Sequence, residues 1–455
     1  MKSSPEASGG DARELRMGDQ ELFFSTTDRR GVIREGNSVF VRISGFELEE
    51  LVGAPHNTVR HPDMPGGLFR LVWDGLQAGR PMGAYMRNRT KDGRFYWVFA
   101  TMSPLRDGYV SVRMAPRGPL FELAKRVYAQ AAHAERTAIQ TNAMNRRDAA
   151  LLGKAHIEDA LRQGGFSSYE EFMLHALPEE VSARRRSVAT SYARPGAQGS
   201  IAEVLAGTGA LDLVLDEFVG HLTDYQRFGD ELATISSGVL GIARRLHTSV
   251  IAAQRASELV EDSAPVLANV ARVTAEPMGE AVETLERLQD RFGRLRADLT
   301  RLRFQISLAG LYNTMAAEFA AEVFDGAAPP ETLTAVPSLC DAAEAGIVEM
   351  SAQVQQVNAA LDDGAELVAE AGARLEKFRL FLGQWRNLVL RHQAGHVLGD
   401  RVRPIDEELF TGWESVELLR RVGRRCESAV VPFDPAASRT HLNRVRVALS
   451  GPALI

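Results

Sequence analysis

Hydrophobic and polar positions change rhythm near residue 115, and the change divides the chain into two styles. Between Glu21 and Met114 apolar residues alternate in short runs broken by Gly and Pro, the period-two signature of half-buried strands. Residues 22–25 and 31–34 read as strands joined by the turn Asp28-Arg29-Arg30-Gly31. Short helices are predicted over about 37–43 and from Glu47 onward, with Ser44 and Glu47 at capping-box spacing. Leu68, Leu71, Val72 and Leu76 share one side of a helix predicted over 67–78. Strands follow at 82–89, 94–103 and 109–114, the first two parted by Thr90-Lys91-Asp92-Gly93, whose Asp-Gly pair is a hairpin signal. This order predicts an α+β domain, a five-stranded antiparallel sheet with helices on one face.

Beyond residue 116 the chain is rich in Ala, Leu, Glu and Arg, and apolar positions recur at helical spacing. Two moderately periodic blocks, 119–150 and 151–163, precede a break at 192–199, where Tyr-Ala-Arg-Pro-Gly-Ala-Gln-Gly marks a boundary. The clearest stripe is Leu285, Leu288, Phe292, Leu295, Leu299, Leu302 and Ile306, alternately three and four apart, which is a heptad seam. Asp325-Gly326-Ala327-Ala328-Pro329-Pro330 ends that helix, and a second long helical pattern runs from about Thr332 to Arg391. Long antiparallel helices around a shared seam, in a bundle or coiled coil, satisfy such a pattern. The predicted organisation is a disordered N-terminus (1–20), the sheet domain (21–115), a helical linker (116–198), a long-helix bundle acting as signalling output (199–395) and a mixed C-terminal segment of short helices and loops (396–455).

Composition narrows the function. At 455 residues more than one domain is expected, and a net charge of −6 gives no general attraction to nucleic acid or to an anionic membrane surface. The two cysteines, Cys340 and Cys426, stand alone, which excludes a disulfide framework and a zinc cluster and suits a reducing cytoplasm. The first residues lack the apolar run of a signal peptide, and no uncharged apolar stretch is long enough for a transmembrane helix, so a soluble, cytoplasmic protein is expected. The histidines after His133 lack partners at metal or triad spacing, and no Gly-rich nucleotide-binding loop occurs, so no enzyme is expected.

The most informative stretch is Pro55-His56-Asn57-Thr58-Val59-Arg60-His61-Pro62-Asp63-Met64-Pro65, a rigid polar loop in an otherwise apolar domain. With Trp73 on the following helix, and Asn88, Arg89, Lys91, Asp92, Gly93, Tyr96, Trp97 and Val98 beyond it, residues 21–115 resemble the PAS domain of bacterial aerotaxis receptors. Ser44-Gly45-Phe46 and Glu49-Glu50-Leu51 fit the same pattern. The resemblance implies a flavoprotein sensor whose cavity holds FAD as a redox probe, with Asn57, Arg60, His61, Asp63, Trp73 and Met82 near it. Arg and His can pair with a pyrophosphate or a flavin carbonyl, and an aromatic can stack on the isoalloxazine. At the start of the third strand the family usually has Trp after the proline, whereas here Met82 follows Pro81, a thioether that still packs against aromatic rings. Residue by residue the alternatives are an Arg60–Asp63 ion pair fixing the loop, a turn-capping His61, and core aromatics at Trp73 and Trp97.

Phe304-Gln305-Ile306-Ser307-Leu308-Ala309-Gly310-Leu311-Tyr312-Asn313 is similar to the hairpin tip of chemoreceptor signalling domains, although the tip's Arg and Gly are absent and the register slips by one. A plain core helix is the alternative. Around His133, Ala132-His133-Ala134-Glu135-Arg136-Thr137 echoes the phosphoacceptor box of histidine kinases, against the alternative of an exposed helical histidine. The function expected is therefore a PAS sensor of redox or oxygen state, or of a small ligand. It would signal as a homodimer through its helices to protein partners, such as a chemotaxis kinase or coupling protein. The alternatives are a degenerate or split histidine kinase with phosphoacceptor His133, and a ligand-free PAS scaffold used for dimerisation.

Overall fold

The structure is a computed structural model, which describes residues 13–187, 192–258, 265–399 and 403–450. The chain divides into two compact units that do not follow chain order. One comprises 1–217, 301–350 and 434–455; the other comprises 218–300 and 351–433.

The first unit is organised on an antiparallel sheet of β1 (Phe23–Asp28), β2 (Ile33–Gly36), β3 (Met82–Arg89), β4 (Phe95–Leu105) and β5 (Gly108–Met114), in the order β2-β1-β5-β4-β3. Thr90 N donates to Arg94 O at 2.8 Å across the Asp92-Gly93 turn, which sets Arg89 opposite Phe95 and Met82 opposite Met102. Helices α1 (Ser38–Ser44), α2 (Leu48–Leu51) and α3 (Gly66–Gln77) cover one face. Asn37 fastens α1 to the sheet: its Oδ1 caps Phe40 N at 3.1 Å and accepts from Phe24 N at 3.0 Å, while Nδ2 donates to Leu22 O at 2.7 Å. The capping box is three residues later than the sequence suggested, at Glu47 and Glu50, because Ser44 closes α1 and Gly45, at φ 70°, ends it in the left-handed region. Glu47 N instead donates to Glu50 Oε2 at 2.9 Å.

The sheet's second face is covered as well, which the strand alternation did not predict. The block read as 119–150 and 151–163 is α4 (Phe121–Gln140) and α5 (Arg146–Gln163), divided at Asn145, whose side chain caps Arg147 and Asp148. Helix α6 (Tyr169–Ser187) follows, and its Tyr169 hydroxyl donates to Gly83 O at 2.9 Å on that second face. Tyr85 donates to Glu180 Oε1 at 2.7 Å, and burial with the neighbouring carboxylate pushes its phenol pKa far up, so it stays a donor. Two long helices, α7 (Gly199–Glu258) and α8 (Pro265–Phe324), come next, then α9 (Val336–Arg391), α10 (Gly395–Leu398), α11 (Arg403–Ser428) and α12 (Pro435–Ser450). From α8, Phe319 meets Phe24 edge-on at 5.2 Å and Tyr312 donates to Ser103 Oγ at 2.8 Å. The stretch Phe304 to Asn313, compared above with a chemoreceptor hairpin tip, is thus mid-helix and packs on the sheet.

The second unit is helical, and Leu285, Leu288, Phe292, Leu295 and Leu299 of the seam are buried in it; Leu302 and Ile306 are buried in the first unit. Trp385 lies in the second unit's core. Ion pairs lace its surface, among them Arg425–Glu231 at 2.6 Å, Arg420–Glu376 at 2.7 Å and Arg386–Asp406 at 2.7 Å. Residues beyond 396, read as short helices and loops, instead contain α11 of 26 residues and α12 of 16. Of the N-terminus expected to be disordered, 1–12 lie outside the described residues, whereas Leu15 N donates to Phe95 O at 2.7 Å and Met17 is buried. Among the described residues no helix is long and apolar enough to cross a membrane.

Candidate functional site

Between α3 and the sheet lies a cavity of about 300 Å³, the lower end of the range of small-molecule sites. Helix α3 supplies Phe69, Val72, Trp73 and Leu76; the strands supply Met86, Asn88, Met102, Tyr109, Ser111 and Arg113. The remaining wall comes from the β1–β2 turn and from the loop at Pro55, His56 and Asn57, where a 3₁₀ turn spans His56–Val59. Gly31 passes under the Trp73 ring with φ 80°, and a Cβ there would fall 3.1 Å from the indole, so position 31 suits glycine alone. Trp73 meets Tyr109 edge-on at 5.5 Å.

The cavity's electrostatics centre on Arg113, which is only 3% exposed. Its Nε donates to Ser111 Oγ at 3.1 Å, its Nη2 lies 2.9 Å from His56 Nε2, and its guanidinium sits 4.6 Å from the Phe23 ring centre. Nη1 has no hydrogen-bond partner. Burial pushes the Arg113 pKa down to about 10, which still leaves it charged at neutral pH. Burial, then the adjacent cation, push His56 well below its usual range, so it is neutral and its Nε2 accepts from Arg113.

Of the six residues proposed from sequence, Asn57, Arg60 and Trp73 line the cavity. Arg60 lies over the Phe69 ring at 3.9 Å and donates from Nη2 to Met64 O at 2.8 Å. Burial lowers its pKa, while Glu135 pulls it back up. His61 and Asp63 do not line the cavity. His61 meets Phe95 edge-on at 5.7 Å and its Nδ1 accepts from Asp63 N at 3.2 Å, as a turn cap does. Its pKa is lowered, by burial first and by Arg87 second. Asp63 pairs with Arg87 at 3.3 Å and Arg136 at 3.5 Å rather than with Arg60. Met82 is buried against Gly75 of α3, where a Cβ on the glycine would fall 2.1 Å from its sulfur. His56, Asn88, Ser111 and Arg113 were missed. The signal available was β5, whose Tyr109, Ser111 and Arg113 alternate with Val110, Val112 and Met114, placing the polar set on the cavity side.

Helix α3 is held from outside the sheet domain. Gly66 N and Gly67 N, at its start, donate to Glu135 Oε2 and Oε1 at 2.7 and 2.8 Å, although Glu135 lies on α4. These amides have no partner within the helix, and a carboxylate there also meets the positive end of the helix dipole. Helix α5 presses close: a Cβ on Gly67 would fall 2.1 Å from Lys154 N, and one on Gly153 would fall 1.7 Å from Glu135 Oε1. Lys154 pairs with Asp74 at 3.1 Å. On the same helix as Glu135, His133 is exposed.

Residues 35–112 match the PAS fold family, and the sheet domain with its helices and cavity is a PAS domain. Over 102 residues, 22% of this chain, it is 43% identical to the aerotaxis receptor of Escherichia coli (strain K12). Over 82 residues, 18% of this chain, it is 29% identical to the biofilm dispersion protein BdlA of Pseudomonas aeruginosa. Each match spans 20% of the relative's own length. Among solved structures, the light state of the blue-light photoreceptor Aureochrome1 LOV is similar at 18% identity, covering 23% of this chain and 88% of that one with a TM-score of 0.22. The chain thus carries a PAS domain followed by a mostly helical region.

Proposed function

We propose that this protein is a cytoplasmic, non-catalytic sensor of redox or oxygen state, whose PAS cavity holds FAD. Its state is passed through the helices to a protein partner, with a chemotaxis kinase or coupling protein the favoured kind. The cavity carries this reading. Trp73 and Tyr109 offer aromatic faces to a planar ring, Met86, Met102, Val72 and Leu76 offer an apolar bed, and Arg113 Nη1 is a buried donor without an acceptor. Those are the features a flavin ring needs, and Arg60 and Arg30 are the cations within the lining available to its pyrophosphate. The flavin, when bound, supplies the electron-accepting chemistry; the chain's own residues orient it, shield it and register its charge. The kinship of the domain to the aerotaxis receptor supports the choice of stimulus.

The state leaves the cavity by α3. That helix forms one wall and is fastened to α4 by Glu135 and to α5 by Lys154, so a shift of α3 must move or break these contacts. The heptad seam that suggested a homodimer is buried within the single chain and supplies no interface for a second copy. The test is the visible absorption of the purified full chain. Flavin bands that bleach with dithionite, and FAD released on denaturation, are the expected result. A colourless protein that takes up no FAD on titration refutes the reading and leaves a ligand-free scaffold.

A further inference from the structure

Arg113 presents a problem that the fold alone does not solve. A guanidinium 3% exposed needs a counter-charge, yet its polar neighbours are the neutral His56, the Ser111 hydroxyl and the Tyr96 phenol, and Nη1 has no partner. The face of Phe23 at 4.6 Å offsets part of the lost hydration, but a ring is a weak substitute for a carboxylate. His56 cannot serve as the counter-ion, because a neutral imidazole carries no negative charge; Ser25 Oγ, at 3.3 Å, meets the same nitrogen. An apolar residue would fill the same space beside Phe23 at lower cost in desolvation. A buried, uncompensated cation that lines a cavity and keeps one nitrogen unpartnered is the pattern of a site built for something the chain itself does not supply.

We propose that Arg113 is the recognition residue of the cavity and that it selects a ligand presenting an electron-rich oxygen or nitrogen to Nη1. Carbonyl, carboxylate and anionic ring edges qualify; cationic and wholly apolar occupants do not. His56 is the positioning residue, holding the guanidinium by Nη2 and leaving Nη1 unpartnered. This deepens the proposed function and rests on its reading of the cavity as a flavin site, where the recognised group is the heteroatom edge of the ring.

The experiment compares wild type, Arg113→Met and Arg113→Lys as full chains, with two readouts: flavin bound per chain after titration with FAD, and the thermal midpoint of the flavin-free form. Arg113→Met is expected to lower flavin affinity at least tenfold and to raise, or leave unchanged, the flavin-free midpoint. Arg113→Lys, which keeps the charge but not the planar fork, should fall between. Wild-type affinity in Arg113→Met overturns the proposal, and so does a lowered flavin-free midpoint, which would make the residue structural. If wild type binds no FAD, the flavin reading fails separately, and the midpoint still decides whether the fold needs this cation.

Discussion

Removing the Glu135 carboxylate tests whether α4 reads the cavity wall. In Glu135→Ala, two hydrogen bonds from Gly66 N and Gly67 N, at 2.7 and 2.8 Å, lose an acceptor that is 8% exposed. A bond to a charged group contributes roughly 1.5–3 kcal/mol, so the pair contributes about 3–6 kcal/mol in all. Water entering the vacated space recovers part of that, which leaves about 2–4 kcal/mol of local stability lost. First-turn amides have no intrahelical partner, so their protection from exchange reports on Glu135 alone. Hydrogen exchange at Gly66 and Gly67 in the full chain should therefore quicken by about 30- to 1,000-fold. Glu135→Gln, which keeps one good acceptor, should give a smaller rise. Gly153→Ala should mimic the loss, since its new methyl falls 1.7 Å from the Oε1 position. Unchanged exchange at both glycines in Glu135→Ala would refute the clamp, and with it the route from cavity to α4.

Burial lifts Glu318 to about 8, and Arg184 is 4.0 Å from it. The unfolded chain ionises near 4.5, so between those values unfolding releases a proton and stability falls as pH rises. Glu318→Gln should remove that decline and raise the melting midpoint most at the alkaline end; an unaltered profile would count against it. Leu295→Asp, placed in a wholly buried part of the seam, should destabilise the second unit by at least about 2–5 kcal/mol, read by chemical denaturation followed at Trp385. An unchanged midpoint would mean the seam tolerates water.

The hairpin of β3 and β4 was legible because an Asp-Gly turn fixes both strands, and Met82–Arg89 falls where alternation placed it. Arg60 and Trp73, singled out from the linear motif, are carried by loop and helix to the lining of one cavity. His61 and Asp63 looked equivalent to Arg60 in the linear motif, but the turn after Arg60 directs them outward to Phe95, Arg87 and Arg136. Arg113 was hidden for a different reason. A polar alternation on β5 reads as a solvent face, and only the covering of both sheet faces turns it into a cavity wall. Helix α12 was illegible because its few buried residues, Leu442 and Val445 among them, are set among arginines that pair with distant acids: Arg439 with Glu344 at 3.2 Å and Arg444 with Glu203 at 2.6 Å.

The covering of the sheet's second face also orders events in time. Ser103 and its partner Tyr312 are 209 residues apart, and Phe319 lies farther along still from Phe24. During synthesis all five strands emerge long before the segment of α8 that completes the cover begun by α6, so the part of the nascent sheet around Phe24 and Ser103 stays open through much of translation. Closing so large a loop is slow compared with forming the hairpins, which makes the seal on the PAS domain a late step in folding. The same arrangement keeps a finished sheet from pairing with a second copy through that face, because the chain has already filled it with its own helix.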